Sequence, residues 1–111
     1  LLSGGNWAPH KIQGWTPDFV PGVLDRDIAD EILPVSDEDA MANALRLAAE
    51  EGIFVGISAG ATLAAALKVA ANAEEGSVVL AMLPDTAERY LSTPLFESIN
   101  EGSDDDWLDN L

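Results

Sequence analysis

The stretch Val55-Gly56-Ile57-Ser58-Ala59-Gly60-Ala61-Thr62 places the tightest constraint on how this chain can fold. An apolar run enters it, glycines and a serine close that run, and an alanine-rich segment leaves it. Alanine has the highest intrinsic helix propensity, so the run Ala64-Ala65-Ala66 predicts a helix over about residues 59–72 with a thin surface that permits close approach to a sheet. Leu63, Ala66, Leu67 and Ala70 recur at helical spacing and mark its apolar stripe. A helix N-terminus carries unpaired N–H groups and a partial positive charge, and glycines let a ligand come close to the backbone, which makes Ser58 a candidate ligand-binding residue. Serine is also a preferred N-cap, so a plain strand–turn–helix junction with Ser58 as its cap produces the same pattern.

The rest of the chain alternates apolar runs with helical periodicity. Residues 77–83 form a continuous apolar run of the kind that a parallel sheet covers on both faces. Residues 53–57 form a shorter run, and residues 31–35 read as a short strand whose Pro34 argues for an edge position. Between these, Ser36 with Asp39 three residues on approximates a capping box, Asp37, Glu38 and Asp39 crowd a positive first turn, and Gly52 supplies the stop. Met41, Ala44, Leu45 and Ala48 give that helix an apolar face. The expected class is α/β, a parallel sheet flanked by helices. Ligands of such sheets sit beyond the carboxyl ends of the strands, which directs Pro84-Asp85-Thr86 and Ser58 to one crevice. Residues 6–21 form a loop rich in Pro, Gly and Trp, in which His10 and Lys11 are candidate catalytic groups or simply a surface pair, and Trp7 and Trp15 are loop anchors. The last apolar element covers residues 90–99, and a solvated acidic tail covers residues 100–111.

Charge and composition remove several function classes. Twenty acidic residues against five basic ones give a net charge of −15, which repels nucleic acid and anionic membranes. A hydrophobic content of 48% argues against an intrinsically disordered acidic chain. No apolar run approaches the ~18 residues needed to span a bilayer, and no basic segment precedes an apolar one at the start, so a cytoplasmic protein is expected. With no cysteine and one histidine, neither disulfides nor a dedicated metal site is expected. Many carboxylates, few lysines and many alanines suit a surface that stays hydrated in concentrated salt, which points to a halophilic source. The opening Leu1-Leu2-Ser3-Gly4-Gly5 reads as the end of a buried strand, as in a fragment.

Several segments coincide in order and spacing with one family: Ser3-Gly4-Gly5, Ala8-Pro9-His10-Lys11-Ile12-Gln13-Gly14, Phe19-Val20-Pro21, Val35-Ser36-Asp37-Glu38-Asp39-Ala40, residues 52–61, Ala64-Ala65-Ala66-Leu67-Lys68, and Leu83-Pro84-Asp85-Thr86-Ala87-Glu88-Arg89-Tyr90-Leu91-Ser92-Thr93. The chain resembles the C-terminal third of cysteine synthases (O-acetylserine sulfhydrylases), fold-type II pyridoxal-phosphate enzymes of tryptophan-synthase β-like architecture. The match runs over about residues 1–98, which leaves a domain portion at residues 1–99 and the acidic tail at residues 100–111 outside it. The resemblance implies pyridoxal 5'-phosphate as cofactor and a β-replacement in which sulfide displaces acetate from O-acetylserine to give cysteine. It also implies a homodimer that binds the C-terminal tail of serine acetyltransferase. It maps Ser58 onto the serine that hydrogen-bonds the pyridine nitrogen of the cofactor, and Gln13-Gly14 and Pro84-Asp85 onto the pocket wall. A helix N-terminus disfavours a positive pyridinium while a hydroxyl can donate to a neutral nitrogen, so the physical reading of Ser58 agrees.

Two departures stand out. The family commonly has Gly-Ile-Gly after the glutamine, where this chain has Gly14-Trp15-Thr16-Pro17-Asp18. The family's Schiff-base lysine, its neighbouring asparagine and its phosphate cradle belong to the N-terminal portion. Lys11 and Lys68 do not match the lysine's motif, so no catalytic residue is assigned and the fragment alone is expected to be inactive. Alternative readings are a cystathionine β-synthase-like or O-phosphoserine-using relative, or a non-catalytic acidic interaction fragment.

The charge makes one prediction. If it reflects a saline cytoplasm, the melting temperature of the complete protein rises as KCl goes from about 0.1 M to about 2 M, because screening removes self-repulsion. A flat or falling melting temperature would contradict the halophilic reading.

Overall fold

The computed structural model describes residues 2–15, 18–97, 99 and 108–109. Apart from Leu108 and Asp109, the expected acidic tail lies outside the described residues.

Helix α1 spans Asp37–Glu51, bounded as its end signals require. The Ser36 hydroxyl accepts the Asp39 N–H at 3.1 Å, and three acids occupy the first turn. At the other end Gly52 takes the left-handed conformation (φ 68°), its N–H reaches the Ala48 carbonyl at 3.2 Å, and the Ile53 N–H reaches the Leu47 carbonyl at 3.0 Å. The buried face is Ala40, Ala44 and Leu47, with Met41, Leu45 and Ala48 half-buried beside it.

Helix α2 spans Ile57–Ala70, starting two residues earlier than the spacing suggests. Its buried residues are Ile57, Ser58, Ala59, Gly60, Ala61 and Ala64, all in the N-terminal half, whereas Leu67 and Ala70 of the expected stripe are exposed. The thin alanine surface packs on α1 rather than on a sheet. At Gly60 the approach is so close that an added Cβ would overlap the Ala40 carbonyl oxygen and lie 2.6 Å from the Ala44 nitrogen and 2.9 Å from the Ala44 Cβ. Ala40, Ala44, Ile57 and Ala61 therefore form one core cluster, joined by Ile12, Tyr90 and Leu95.

The strands expected at residues 31–35 and 77–83 are corrected, and the apolar run at residues 53–57 makes none, because among the described residues none of the three pairs into a sheet. Residues 31–35 are irregular. In residues 53–57 only Val55 forms a β-bridge, antiparallel, with Thr86, and Ile57 already belongs to α2. Residues 77–83 do show strand alternation: Val78, Leu80 and Met82 are 94%, 93% and 74% exposed, while Ala81 and Leu83 are half-buried. The Thr62 hydroxyl ties this segment to α2 through the Met82 carbonyl. A ladder needs a second strand, and the described residues supply none. Two 3-10 turns, Ala87–Tyr90 and Pro94–Phe96, replace the expected continuous element over residues 90–99. The second holds the fully buried Leu95 and brings Phe96 to 5.5 Å from Phe54, ring centre to ring centre. No helix among the described residues is long and apolar enough to cross a membrane.

The helix contact yields a graded test on the complete protein. Gly60→Ala must push α1 and α2 apart and is expected to cost about 3 kcal/mol in denaturant unfolding, in the range of other overpacked cores. Ser36→Ala loses only a cap, about 1 kcal/mol. Equal costs would contradict the packing described.

Candidate functional site at the start of α2

The first turn of α2 lacks a side-chain cap: its N-cap is Gly56, in extended conformation, and no acidic residue lies in that turn. Ser58 is inside the helix, so the alternative reading of Ser58 as the N-cap does not hold. Gly56 takes that position because the chain needs a residue without a side chain there. An ideal Cβ on Gly56 would lie 2.6 Å from Cε2 of Tyr90. Ser58 is buried, 9% exposed, and its hydroxyl lies 3.5 Å from the Gln13 carbonyl oxygen. That is the outer limit of a hydrogen bond, and the hydroxyl can rotate toward a better acceptor. The Gln13-Gly14 segment thus does reach Ser58, held by the Ile12–Trp15 turn (3.3 Å).

The second expected wall arrives from the other side of the sequence. Thr86 bridges Val55, and the Ala87 N–H donates to the Phe54 carbonyl at 3.3 Å, so residues 85–87 run beside the approach to α2. Asp85 has a positive φ of 67°, uncommon for a residue other than glycine. Three contacts hold it there. The Tyr90 hydroxyl donates to Oδ2 at 2.6 Å, the Thr86 N–H donates to Oδ1 at 3.0 Å, and the Arg89 guanidinium lies 3.1 Å from Oδ1. The Tyr90 hydrogen bond holds the Asp85 carboxyl below its usual range, against burial, with Thr86 and Arg89 adding to the effect. The same bond, then burial, raises the Tyr90 phenol above its ordinary value.

The other candidates lie apart from this centre. The Lys11 N–H donates to the Asp37 carboxylate at 2.7 Å, which ties the 6–15 loop to the start of α1. Lys68 lies 3.5 Å from Asp39 on the exposed surface, ten residues and about 15 Å along α2 from Ser58. His10 and Trp7 line a separate cavity with Trp15 and Leu33. Tyr90 and Gly56 are the site residues that the sequence reading missed. A large aromatic residue paired with a glycine at a helix N-cap is visible only once the two are adjacent.

A family profile described as pyridoxal-phosphate dependent enzyme matches residues 3–85. The chain belongs to the pyridoxal-phosphate dependent enzymes. It is 60% identical over 111 residues to O-ureido-L-serine synthase of Streptomyces lavendulae, covering the whole of this chain and 34% of that protein. It is 50% identical over 99 residues to a probable cysteine synthase of Bacillus subtilis, covering 89% of this chain and 32% of the relative. The crystal structure of O-acetyl serine sulfhydrylase isoform 3 from Entamoeba histolytica superposes with a TM-score of 0.84 at 40% identity, over 99% of this chain and 33% of that one. The chain therefore spans about a third of the length of its relatives, which are fold-type II pyridoxal-phosphate enzymes. The alignment to the Streptomyces protein runs over all 111 residues, residues 100–111 included.

The residues present fit one edge of pyridoxal phosphate. An uncapped helix N-terminus and a neutral hydroxyl with only a long bond suit the ring nitrogen in its uncharged form. Lys68 lies about 15 Å along α2 from Ser58, on the exposed surface beside Asp39.

The Asp85–Tyr90 pair carries a pH signature. Asp85 has a lowered folded-state pKa, so its stabilisation is present above the unfolded value of about 3.9 and fades as pH falls through the lower folded value. Tyr90 has a raised one, so its contribution is present below about pH 10 and is lost as pH climbs through the higher folded value. In the complete protein Asp85→Asn is expected to be less stable than wild type at neutral pH, with the difference closing below about pH 4. Parallel stability profiles down to acid would contradict the pairing.

Proposed function

We propose that this chain supplies the ring-nitrogen side of the cofactor site in a cytoplasmic β-replacement enzyme acting on an O-activated L-serine. The observation that carries the reading is the Ser58 hydroxyl, buried at the uncapped start of α2. Pyridoxal phosphate, when bound, supplies the electron sink that lets a group leave the β carbon of the amino acid and a nucleophile take its place. The Ser58 hydroxyl would donate a hydrogen bond to the ring nitrogen, and the helix N-terminus would disfavour a full positive charge on that nitrogen. Gln13 and Asp85, with the turns that carry them, wall this edge against water. In the proposal, the remaining two thirds of the protein lie mainly upstream and provide the lysine, the phosphate cradle and the strands that pair with residues 77–83. The complete enzyme acts as a homodimer.

Cysteine synthase chemistry makes sulfide the nucleophile and O-acetylserine the acceptor, giving cysteine and acetate. One observation favours a second nucleophile. The 60% identity to O-ureido-L-serine synthase runs the whole length of the chain. In O-ureido-L-serine the serine oxygen carries a ureido group, so a β-replacement that makes it joins the β carbon to the oxygen of hydroxyurea. The complete enzyme, given O-acetylserine with sulfide or hydroxyurea in parallel, is expected to form the corresponding replacement product with at least one of them. Formation of neither would overturn the proposal, and the ratio of kcat/KM values assigns the nucleophile. Ser58→Ala is expected to weaken cofactor binding by about 0.5–1.5 kcal/mol, one neutral hydrogen bond. It should leave the melting temperature of the cofactor-free protein nearly unchanged, because Ser58 lies inside the helix and is not its N-cap.

A further inference from the structure

The Tyr90 ring is packed against Gly56, the residue from which α2 starts, while its hydroxyl is tied to a carboxylate on a loop that is itself bridged to Val55. Residues 85–90 therefore grip the approach to α2 at three points: the Val55–Thr86 bridge, the Phe54–Ala87 hydrogen bond and the ring of Tyr90 on Gly56. Asp85 would not hold a left-handed conformation without compensation, and its bonds to Tyr90, Thr86 and Arg89 supply it. Ser58 follows Gly56 by two residues on a rigid helical turn, so any rotation or translation of the N-cap moves the Ser58 hydroxyl with it.

We infer that Tyr90 is a positioning residue of the cofactor site and that Asp85 is the latch that holds it: the ring, fixed through its hydroxyl, sets the place of Gly56 and hence of the Ser58 hydroxyl. The inference rests on the assignment of Ser58 to the ring nitrogen of pyridoxal phosphate. Hydrogen bonds to a ligand weaken steeply with displacement, so a latch that holds a turn within a few tenths of an ångström acts on ligand affinity without touching the ligand. In Tyr90→Phe the ring still fills the space over Gly56 but is no longer tethered. In Asp85→Asn the tether survives without its charge.

A double-mutant cycle on the complete enzyme tests this, read as the dissociation constant of pyridoxal phosphate from cofactor fluorescence and as the melting temperature of the cofactor-free protein. Tyr90→Phe is expected to raise the dissociation constant about threefold to tenfold with Ser58 present and to change it less than about twofold in the Ser58→Ala background, because the latch acts through that hydroxyl. Asp85→Asn is expected to give a smaller change in the same direction. If Ser58→Ala weakens binding but Tyr90→Phe has the same effect in both backgrounds, or none, Tyr90 is not a positioning residue and the inference falls while the Ser58 assignment stands. If Ser58→Ala leaves binding unchanged, the assignment falls and takes the inference with it. A drop in the melting temperature of Tyr90→Phe with no change in cofactor affinity also overturns it, since that is the mark of packing alone.

Discussion

The absence of a side chain at Gly60 is the constraint on which the rest of this structure depends. Helix axes separated by ordinary side chains lie 8–10 Å apart, and here a single Cβ would already collide with the Ala40 carbonyl and the Ala44 backbone. The alanine run keeps the neighbouring turns equally thin, so α1 and α2 interlock over Ala40, Ala44, Ile57 and Ala61. A helix held this closely by its N-terminal half cannot shift along its axis without opening that contact. Ser58, two residues ahead of Gly60, inherits its place from the packing.

The same end of α2 is gripped from outside. Residues 85–90 fold back onto residues 54–56, and the Tyr90 ring occupies the space that a side chain on Gly56 would need. Two glycines of the opening stretch are thus spent on close approach, Gly56 to an aromatic ring and Gly60 to a helix backbone, and neither is spent on a left-handed turn. The outcome is a helix N-terminus that is rigid, uncapped and flanked by the Gln13 and Asp85 segments, a place where a neutral hydroxyl meets a partial positive charge. That combination suits a ring nitrogen that stays unprotonated.

What the sequence made legible was what is local. Ser36, Asp39 and Gly52 lie within one turn of the helix ends they specify, and α1 begins and ends where they indicate. The sequence offered two readings of Ser58, a ligand-binding group and an N-cap; the second does not hold, since Gly56 takes the cap position beside Tyr90, and the first is the proposal made above. Residues 77–83 show the alternation of a strand without the ladder of one. The apolar run is written in the residues themselves, whereas which face stays exposed and what pairs with it are decided by partners far away in the chain. The Asp85–Tyr90 pair escaped for the same reason: Asp85 precedes a 3-10 turn and Tyr90 ends it, five residues on and off any helical or strand period, and the meaning of the pair comes from Gly56, 34 positions before Tyr90.

The central claim is that the start of α2 holds the cofactor's ring nitrogen as an uncharged acceptor of the Ser58 hydroxyl. Nitrogen-15 NMR of the complete enzyme loaded with ring-labelled pyridoxal phosphate reads that state directly. A resonance in the range of hydrogen-bonded neutral pyridine, returning toward free pyridine in Ser58→Ala, is the result the account predicts. A pyridinium resonance, unaltered by that substitution, would contradict it.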